Sequence, residues 1–356
     1  MTEKLDGHTR PARAASRKSA PRPVMREVAE RAGVAMSSVS RVLSGHPDVS
    51  PLMRNRVLDA VAALNYQPDL LAQSLRTGET MTVGFLAADI SNPMMSQIAL
   101  GAEVRMRQAG YAMLITNSFN EIALDIQHLR VLQQRRIDGL LLSLSDESDP
   151  ELKEVLERLD VPAVLVDRQV NGAHFSSVVV DHAGGIQAAV AHLAGLGHRR
   201  IVLVNDNRNV RPFRERSNAL RKACRSIPGM RGSVRSAALA PDHSFQAARE
   251  VLSGPDAPTA IIAGSNQILV GVLRAIRELG LSFPDDVSLV TFDDFAFSDY
   301  IPITTISRDA LEVGRVASSL LLEQIGGEPP RRVVLPTGLR ITDSCAPPKK
   351  QRAVGA

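Results

Sequence analysis

The sequence predicts an α/β protein in which a small all-α unit precedes a longer body of parallel sheets covered by helices, and three observations carry that prediction. Between residues 24 and 66 apolar side chains recur at helical spacing in three short bursts. After Thr80 strand-like apolar runs alternate with helix-length segments, the pattern that parallel strands with helical crossovers produce. The excess positive charge is local: residues 1–80 hold 12 Lys and Arg against 8 Asp and Glu, and the rest of the chain holds 30 of each.

Length and composition bound the possibilities. At 356 residues and 44% hydrophobic content, the chain has enough apolar mass for two to three folding units, which excludes a wholly disordered protein. No apolar run approaches the ~18 residues of a membrane-crossing helix, and MTEKLDGHTRPARAASRKSAPRP lacks the apolar core of an export signal. A cytoplasmic protein without a membrane partner is expected. Cys224 and Cys345 are the only cysteines, which excludes a disulfide framework or a cysteine-rich zinc site and fits a reducing compartment.

Residues 1–23 are rich in Pro, Ala, Ser and Arg without periodicity and read as a disordered basic tail, whose Arg10, Arg13, Arg17, Lys18 and Arg22 either touch phosphate or stay solvated. In the unit at 24–68, Met25, Val28 and Ala32 share one helix face. Gly33-Val34 turns the chain, and Val39, Val42 and Leu43 line the next face. Ser50-Pro51 is an N-cap followed by the proline favoured at the first helical position, and Met53, Val57, Val61 and Leu64 continue the third helix. Gln67-Pro68 ends it. Residues 69–80 form a linker in which 69–76 can make two helical turns, too few to be stable unless something packs on them.

Apolar runs at 83–88, 112–116, 140–144, 163–166, 201–204, 260–263 and 287–292 predict strands, and residues 81–345 suffice for two α/β lobes in tandem. Residues 346–356 read as a disordered C-terminal tail. Ligands of open parallel sheets sit at the C-terminal ends of the strands. The polar residues there are Asp89, Ser91 and Asn92; Asn117; Ser143 and Ser145; Asp167 and Arg168; Asp206; Ser265 and Asn266; and Asp293.

A helix–turn–helix in the one region with net positive charge points to DNA, because the second helix can enter the major groove while basic side chains neutralise phosphate. The residues sharpen this. VMREVAERAGVAMSSVSRVLSGHPDVSPLMRNRVLDAVAALNYQPDLLAQSLRTGET resembles the N-terminal region of the LacI/GalR family of bacterial transcription regulators, and SLRTGETMTVGFLAADISNP, VPAVLVDRQVNG, VSLVTFDD, ITTI and LPTGLRITDSCAPP extend the resemblance over nearly everything after residue 23. It implies a helix–turn–helix DNA-binding domain, a hinge helix, and a two-lobed effector domain like that of periplasmic sugar-binding proteins.

The resemblance makes residues 36–43 the recognition helix, with Met36, Ser37 and Arg41 aimed at base edges and Ser38 and Ser40 beside them. Arg can bond guanine bidentately and Met can cover a thymine methyl, while the serines can equally take phosphate oxygens. In the hinge, Leu75 is implied as an apolar wedge entering the minor groove, with Ala72 beside it. Val24 and Ala35 replace the usual Thr and Ser caps, each a loss of about 1 kcal/mol at a helix end. For the effector the resemblance nominates Ser91, Met94, Met95, Asp167, Arg168, Arg216, Ser265, Asn266 and Asp293. Carboxylates accept from adjacent sugar hydroxyls and guanidinium groups donate to oxygens. Met94 and Met95 stand where aromatics are frequent, and Ser265-Asn266 replaces the usual Asn-Asp.

The expected function is a homodimeric regulator, a repressor in most of the family, that binds a palindromic operator under control of a small, sugar-like effector. A sugar-transport protein would share the body but have no use for residues 24–78. An α/β enzyme would show a phosphate-cradling glycine loop or a paired nucleophile and base, and neither is present in suitable context. No cofactor or metal is expected, since the histidines form no ligand cluster; His192 and His198 read as surface or capping residues.

Overall fold

The computed structural model describes residues 23–67, 78–170, 175–295, 298 and 300–349. It separates into two compact units, Met1–Gly78 and Glu79–Ala356.

In the first unit α1 (Met25–Ala32), α2 (Met36–Leu43) and α3 (Pro51–Leu64) close around one core. Val28, Val39, Val42, Val57 and Tyr66 bury together there, so the periodicity of each burst is that of its inward face. Gly33 adopts the left-handed conformation (φ 61°) that ends α1 and turns the chain. Arg56 of α3 donates to the carbonyls of Ala32 at 2.6 Å and Gly33 at 3.3 Å, placing a cation on the negative end of α1. Ser50 caps α3 by accepting from the Met53 N–H, with Pro51 next to it. The two missing caps are real: neither Val24 nor Ala35 supplies a side-chain acceptor, although Glu27 receives the Val24 N–H at 3.1 Å.

The second unit contains two six-stranded sheets. Along the chain its strands are β1 (Thr82–Ala87), β2 (Ala112–Asn117), β3 (Gly139–Leu142), β4 (Ala163–Val166), β5 (Ser176–Val180), β6 (Arg200–Asp206), β7 (Arg231–Ala237), β8 (Ala260–Ala263), β9 (Ser288–Phe292), β10 (Thr304–Ser307), β11 (Arg332–Leu335) and β12 (Gly338–Arg340). The sheet orders are β11-β5-β4-β3-β1-β2 and β12-β10-β9-β8-β6-β7, the same topology twice. Every pairing is parallel except that of β12 with β10.

Five strands escape the sequence reading for physical reasons. β5, SSVVV, and β10, TTIS, begin with hydroxyl residues that the fold buries against hydrogen-bond partners. β7 is an edge strand whose Arg231 and Arg235 face solvent, and β11 and β12 are short, half-exposed edge strands.

Helices cover both faces: α4 (Pro93–Gln108), α5 (Ile122–Gln134) and α6 (Pro150–Glu157) in the first lobe, and α7 (His182–Gly195), α8 (Arg211–Arg225), α9 (Pro241–Ser253) and α10 (Asn266–Glu278) in the second. α11 (Ala310–Ile325) returns to the first lobe and packs on α4. Gly101 and Gly314 set that crossing, because a Cβ on either would fall well inside contact distance of backbone atoms of the other helix. The chain therefore passes between lobes three times, after β5, β10 and β11. At the first two crossings Asp181 and Asp309 cap the next helix, accepting from Gly184 N–H at 2.8 Å and Glu312 N–H at 2.9 Å.

Two expectations are corrected. Residues 346–349 do not belong to a loose tail: Ala346 bonds Ser288 of β9 and His198 just before β6, and Lys349 pairs with Asp286 at 3.1 Å. His198 is buried rather than at the surface, bonded to Thr259, Ser288 and the Ala346 carbonyl, because the returning chain covers it.

Candidate functional site

On the first unit, α2 turns Val39 and Val42 into the core, which leaves the opposite face outward. Met36, 51% exposed, lies there with Ser37 and Arg41, and Ser38 and Ser40 are half-buried at its flanks. Arg41 is held loosely, its guanidinium 3.3 Å from His46 Nδ1 and 3.7 Å from Asp48. Such exposed contacts contribute little and exchange readily for another partner. Ala72 and Leu75 lie outside the described residues.

On the second unit, the strand ends of the two sheets face each other across a cleft with about 600 Å³ of non-atom space, part of it open to solvent. Met94, Met95, Asp167, Arg168, Arg216, Ser265 and Asp293 all line it. Met95 also belongs to the core of the first lobe, so the methionine pair is both packing and wall. Ser265 caps α10 by accepting from Ile268 N–H. Ser91 and Asn266 are not lining residues. Ser91 is exposed and its hydroxyl donates to Asp89 at 2.6 Å, while Asn266 donates to Asn92 at 3.1 Å and to the Asp294 carbonyl at 3.3 Å, a tie between lobes. Asp89 and Asn92 line the cleft in their place.

The two aspartates occupy equivalent positions in the repeated topology. Asp167 follows β4 and Asp293 follows β9; both have positive φ (53° and 69°), and each N–H donates to the neighbouring strand, at Val178 and Ile306 respectively. Positive φ is uncommon outside glycine and better tolerated by Asp than by most residues. Here it turns each carboxylate into a buried ion cluster. Asp167 accepts from His182 Nε2 at 2.9 Å, Arg308 at 2.6 Å and Arg211 at 3.2 Å. Asp293 accepts two bonds from Arg308, at 2.7 and 3.1 Å, and has Arg216 at 3.9 Å.

Arg216, 2% exposed, lies over the Phe292 ring at 3.7 Å, donates from Nε to His182 Nδ1 at 3.3 Å, and bonds the Gly264 carbonyl. Because Nδ1 accepts from Arg216, His182 is the neutral tautomer that donates from Nε2.

Burial decides the protonation chemistry. It brings His182 down to about 4 despite Asp167, with Arg216 and Arg308 acting in the same direction. It also lowers Arg216 to about 10, which leaves it charged at neutral pH, and lowers Arg168. Burial opposes ionisation of Asp167, but His182, Arg308 and Arg211 outweigh it and hold the carboxyl well below its ordinary range.

Sequence reasoning missed Arg308, His182, Arg211, Arg208, Asn120 and Gln267. Arg308 and His182 closely follow β10 and β5, so reading those two strands would have brought them within the strand-end rule. Arg208 lies two residues beyond Asp206, pairs with it at 2.6 Å, and reaches Asn120 on the other lobe. Phe213 lines the cleft, whereas Phe295 packs on the second lobe's core. Among the described residues no group of three or more His, Cys, Asp or Glu could hold a metal ion, and no helix is long and apolar enough to cross a membrane.

Known proteins match both units. Residues 24–69 match the bacterial regulatory proteins of the lacI family, and residues 190–345 match the periplasmic binding protein-like domain. The HTH-type transcriptional repressor PurR of Escherichia coli O139:H28 is 30% identical over 309 residues, 85% of this chain and 90% of that protein. A Lac repressor dimer bound to operator and the anti-inducer ONPF superposes with a TM-score of 0.80 at 27% identity, covering 92% of this chain and all of that one. The transcriptional regulator CelR in complex with cellobiose gives 0.67 at 28% identity, covering 91% of this chain and all of that one. With a reading-helix unit and a repeated two-sheet body both matched, the chain belongs to the lacI family of bacterial regulatory proteins.

Proposed function

We propose that this protein is a cytoplasmic, homodimeric, sequence-specific transcription repressor whose operator affinity is controlled by a sugar-like metabolite bound between the two lobes of its body. The observation that carries the reading is the outward face of α2, where Met36, Ser37 and Arg41 stand free of the core on a basic chain of this family. Met36, Ser37 and Arg41 read base edges in the major groove, and Ser38 and Ser40 take phosphate oxygens. Residues 69–80 form the hinge, with Leu75 wedging the minor groove beside Ala72. The effector residues are Met94, Met95, Asp167, Arg168, Arg216, Ser265 and Asp293, joined by Arg308.

The dimer reading is supported by the Lac repressor dimer on operator and by exposed apolar side chains at the outer edge of the first lobe. β2 is an edge strand whose Leu114 and Ile115 are exposed, as is Leu100 of α4. Paired subunits present two reading helices to the two halves of a palindrome. A ligand preferring one arrangement of the lobes then shifts operator affinity, with a typical coupling of about 1–3 kcal/mol.

The test is selection of the full-length protein on a library of palindromic duplexes by gel shift at moderate salt. Selective binding that Leu75→Ala weakens far more than non-specific binding is expected. Absence of any selected site would sink the regulator reading, and equal losses would sink the wedge.

A further inference from the structure

We propose that the cleft is built for an acidic sugar derivative, whose carboxylate or phosphate is received by Arg168 and the hydroxyl of Ser143, and not for a neutral sugar. The inference rests on the effector reading above and narrows its ligand class.

A neutral sugar offers hydroxyl protons and needs free acceptors. The two buried carboxylates of this cleft have few to give. Asp167 Oδ1 accepts from His182, Arg211 and the Val180 N–H, and its Oδ2 accepts from His182 and Arg308. Asp293 has one bond from Arg308 on each oxygen, with Arg216 beyond hydrogen-bond distance but pressing its charge on the same carboxylate. With about four lone-pair sites per carboxylate, Asp167 is filled and Asp293 is held in a fork–fork pair.

Among the residues that line the cleft, the unmet needs are on the donor side. Arg168 is 7% exposed and lines the cleft, yet among the described residues its guanidinium bonds only carbonyls, Leu144 at 2.6 Å and Asp167 at 3.0 Å. Asp167, Glu147 and Asp125 attract it through space, Asp167 most, but no carboxylate oxygen bonds it: Asp167 is taken up by His182, Arg308 and Arg211, Glu147 by Arg214 and the Gln169 N–H, and Asp125 accepts from the Ser145 N–H. A buried cation without a carboxylate in contact is costly until an anion arrives.

Ser143 is the second, independent sign. It is fully buried, lines the same cleft, and its Oγ has no partner among the described residues. It immediately precedes Leu144, whose carbonyl holds Arg168, and both Ser143 and Arg168 line the cleft. An anion's oxygens accept from both; a hydroxyl group of a neutral sugar can satisfy Ser143 but brings Arg168 no negative charge in contact. Met94, Met95, Ile98 and Phe213 line the cleft as well and give the carbon skeleton an apolar surface.

The experiment is thermal shift and calorimetry on the full-length protein at constant ionic strength, with matched probes in the gluco, galacto and manno series. Each neutral hexose is compared with its uronate, its aldonate and its 6-phosphate, with inorganic phosphate and chloride as controls. At least one acid is expected to raise Tm by roughly 2–4 °C where its neutral parent does not. Binding by uronates or aldonates alone identifies a carboxylate, and binding by sugar phosphates alone identifies a phosphate.

Arg168→Gln should weaken the bound acid about a hundredfold and Ser143→Ala about tenfold. The melting temperature of each unliganded variant reports whether it folds, and if Arg168→Gln does not, Ser143→Ala decides. A neutral sugar binding as tightly as its acid, an acid whose affinity survives substitution of Ser143 and Arg168, or a panel in which no acid binds overturns the proposal. Each of those results leaves operator selection standing, whereas failure of selection removes the regulator reading and leaves the charge preference of the cleft measurable.

Discussion

His182 lies between a carboxylate and a guanidinium: its Nε2 is 2.9 Å from Asp167 Oδ2, and its Nδ1 accepts from Arg216 Nε at 3.3 Å. The imidazole is the neutral link between Arg216 of the second lobe and Asp167 of the first. Protonating it would place a third charge donor where Arg216 needs an acceptor, so the arrangement holds only while the ring stays neutral.

This makes the fold acid-labile in a defined window. His182 is brought to about 4, below the ordinary 6.5, so above 6.5 neither folded nor unfolded chain protonates it and the link stabilises in full. As pH falls from 6.5 toward 4, only the unfolded chain gains the proton, and stability drops by about 2 kcal/mol at pH 5. His198, also lowered by burial, acts in the same direction, and Asp167 adds a further loss at still lower pH. His182→Gln keeps one donor and one acceptor without the titration. Urea unfolding at pH 7.5 and pH 5 should show a smaller acid loss in the variant; equal losses in the two proteins would show that His182 does not carry the effect.

The α4–α11 crossing gives a steric prediction. A Cβ at Gly314 would overlap the Ile98 carbonyl and the Ala102 N–H, backbone atoms that cannot swing away. Gly314→Ala should therefore cost about 3 kcal/mol or more by forcing two helices apart. At Gly195, near the end of α7, a Cβ meets nothing within 4 Å, and Gly195→Ala should stabilise by roughly 0.5–1 kcal/mol. Thermal melts of the two variants should move in opposite directions; a silent Gly314→Ala would mean the helices do not pack this closely.

The edge of the first lobe at β2 is expected to hold the dimer. Ile115, 46% exposed on the edge strand β2, is replaced by Asp, which puts a charge into any interface formed there without touching a core. Analytical ultracentrifugation should find the variant monomeric at concentrations where the parent is dimeric, and operator affinity should fall because each half-site then binds alone. A dimer of unchanged stability would move the interface elsewhere.

What was legible in the chain follows from what leaves an apolar pattern. The three helices at the start and the central strands of both sheets bury continuous faces, so Val39, Val57, Leu141 and Ile262 are visible as periodicity or as runs. β5 and β10 are equally buried but contain Ser176, Thr304 and Thr305; the first two hydroxyls are matched by partners 155 and 38 positions away and the third by the Ile303 carbonyl, and no linear pattern shows such partners. The cleft was legible at Asp167 and Asp293 because both directly follow apolar strands. Arg308 and His182 were not, because the strands before them went unread, and Ser91 misled because its hydroxyl turns back to Asp89. A strand-end position names a candidate; the neighbouring charges decide which way it faces.

Arg308 joins the lobes chemically, since it bonds Asp167 at the end of β4 and Asp293 at the end of β9 from the crossing after β10. Burial disfavours its charge, but Asp293 and Asp167 outweigh burial and raise its affinity for the proton above the ordinary arginine value. Arg308→Met removes the shared cation and leaves two buried carboxylates short of a partner, a loss of about 3–5 kcal/mol. Asp293→Asn alone leaves Arg308 with Asp167 and costs less. In the double variant one of the stranded charges is gone, so the losses should not add, and a coupling of about 1–3 kcal/mol is expected from urea unfolding of the four proteins. Simple additivity would show that Arg308 and Asp293 act independently and that the bridge is a contact of geometry without energetic weight.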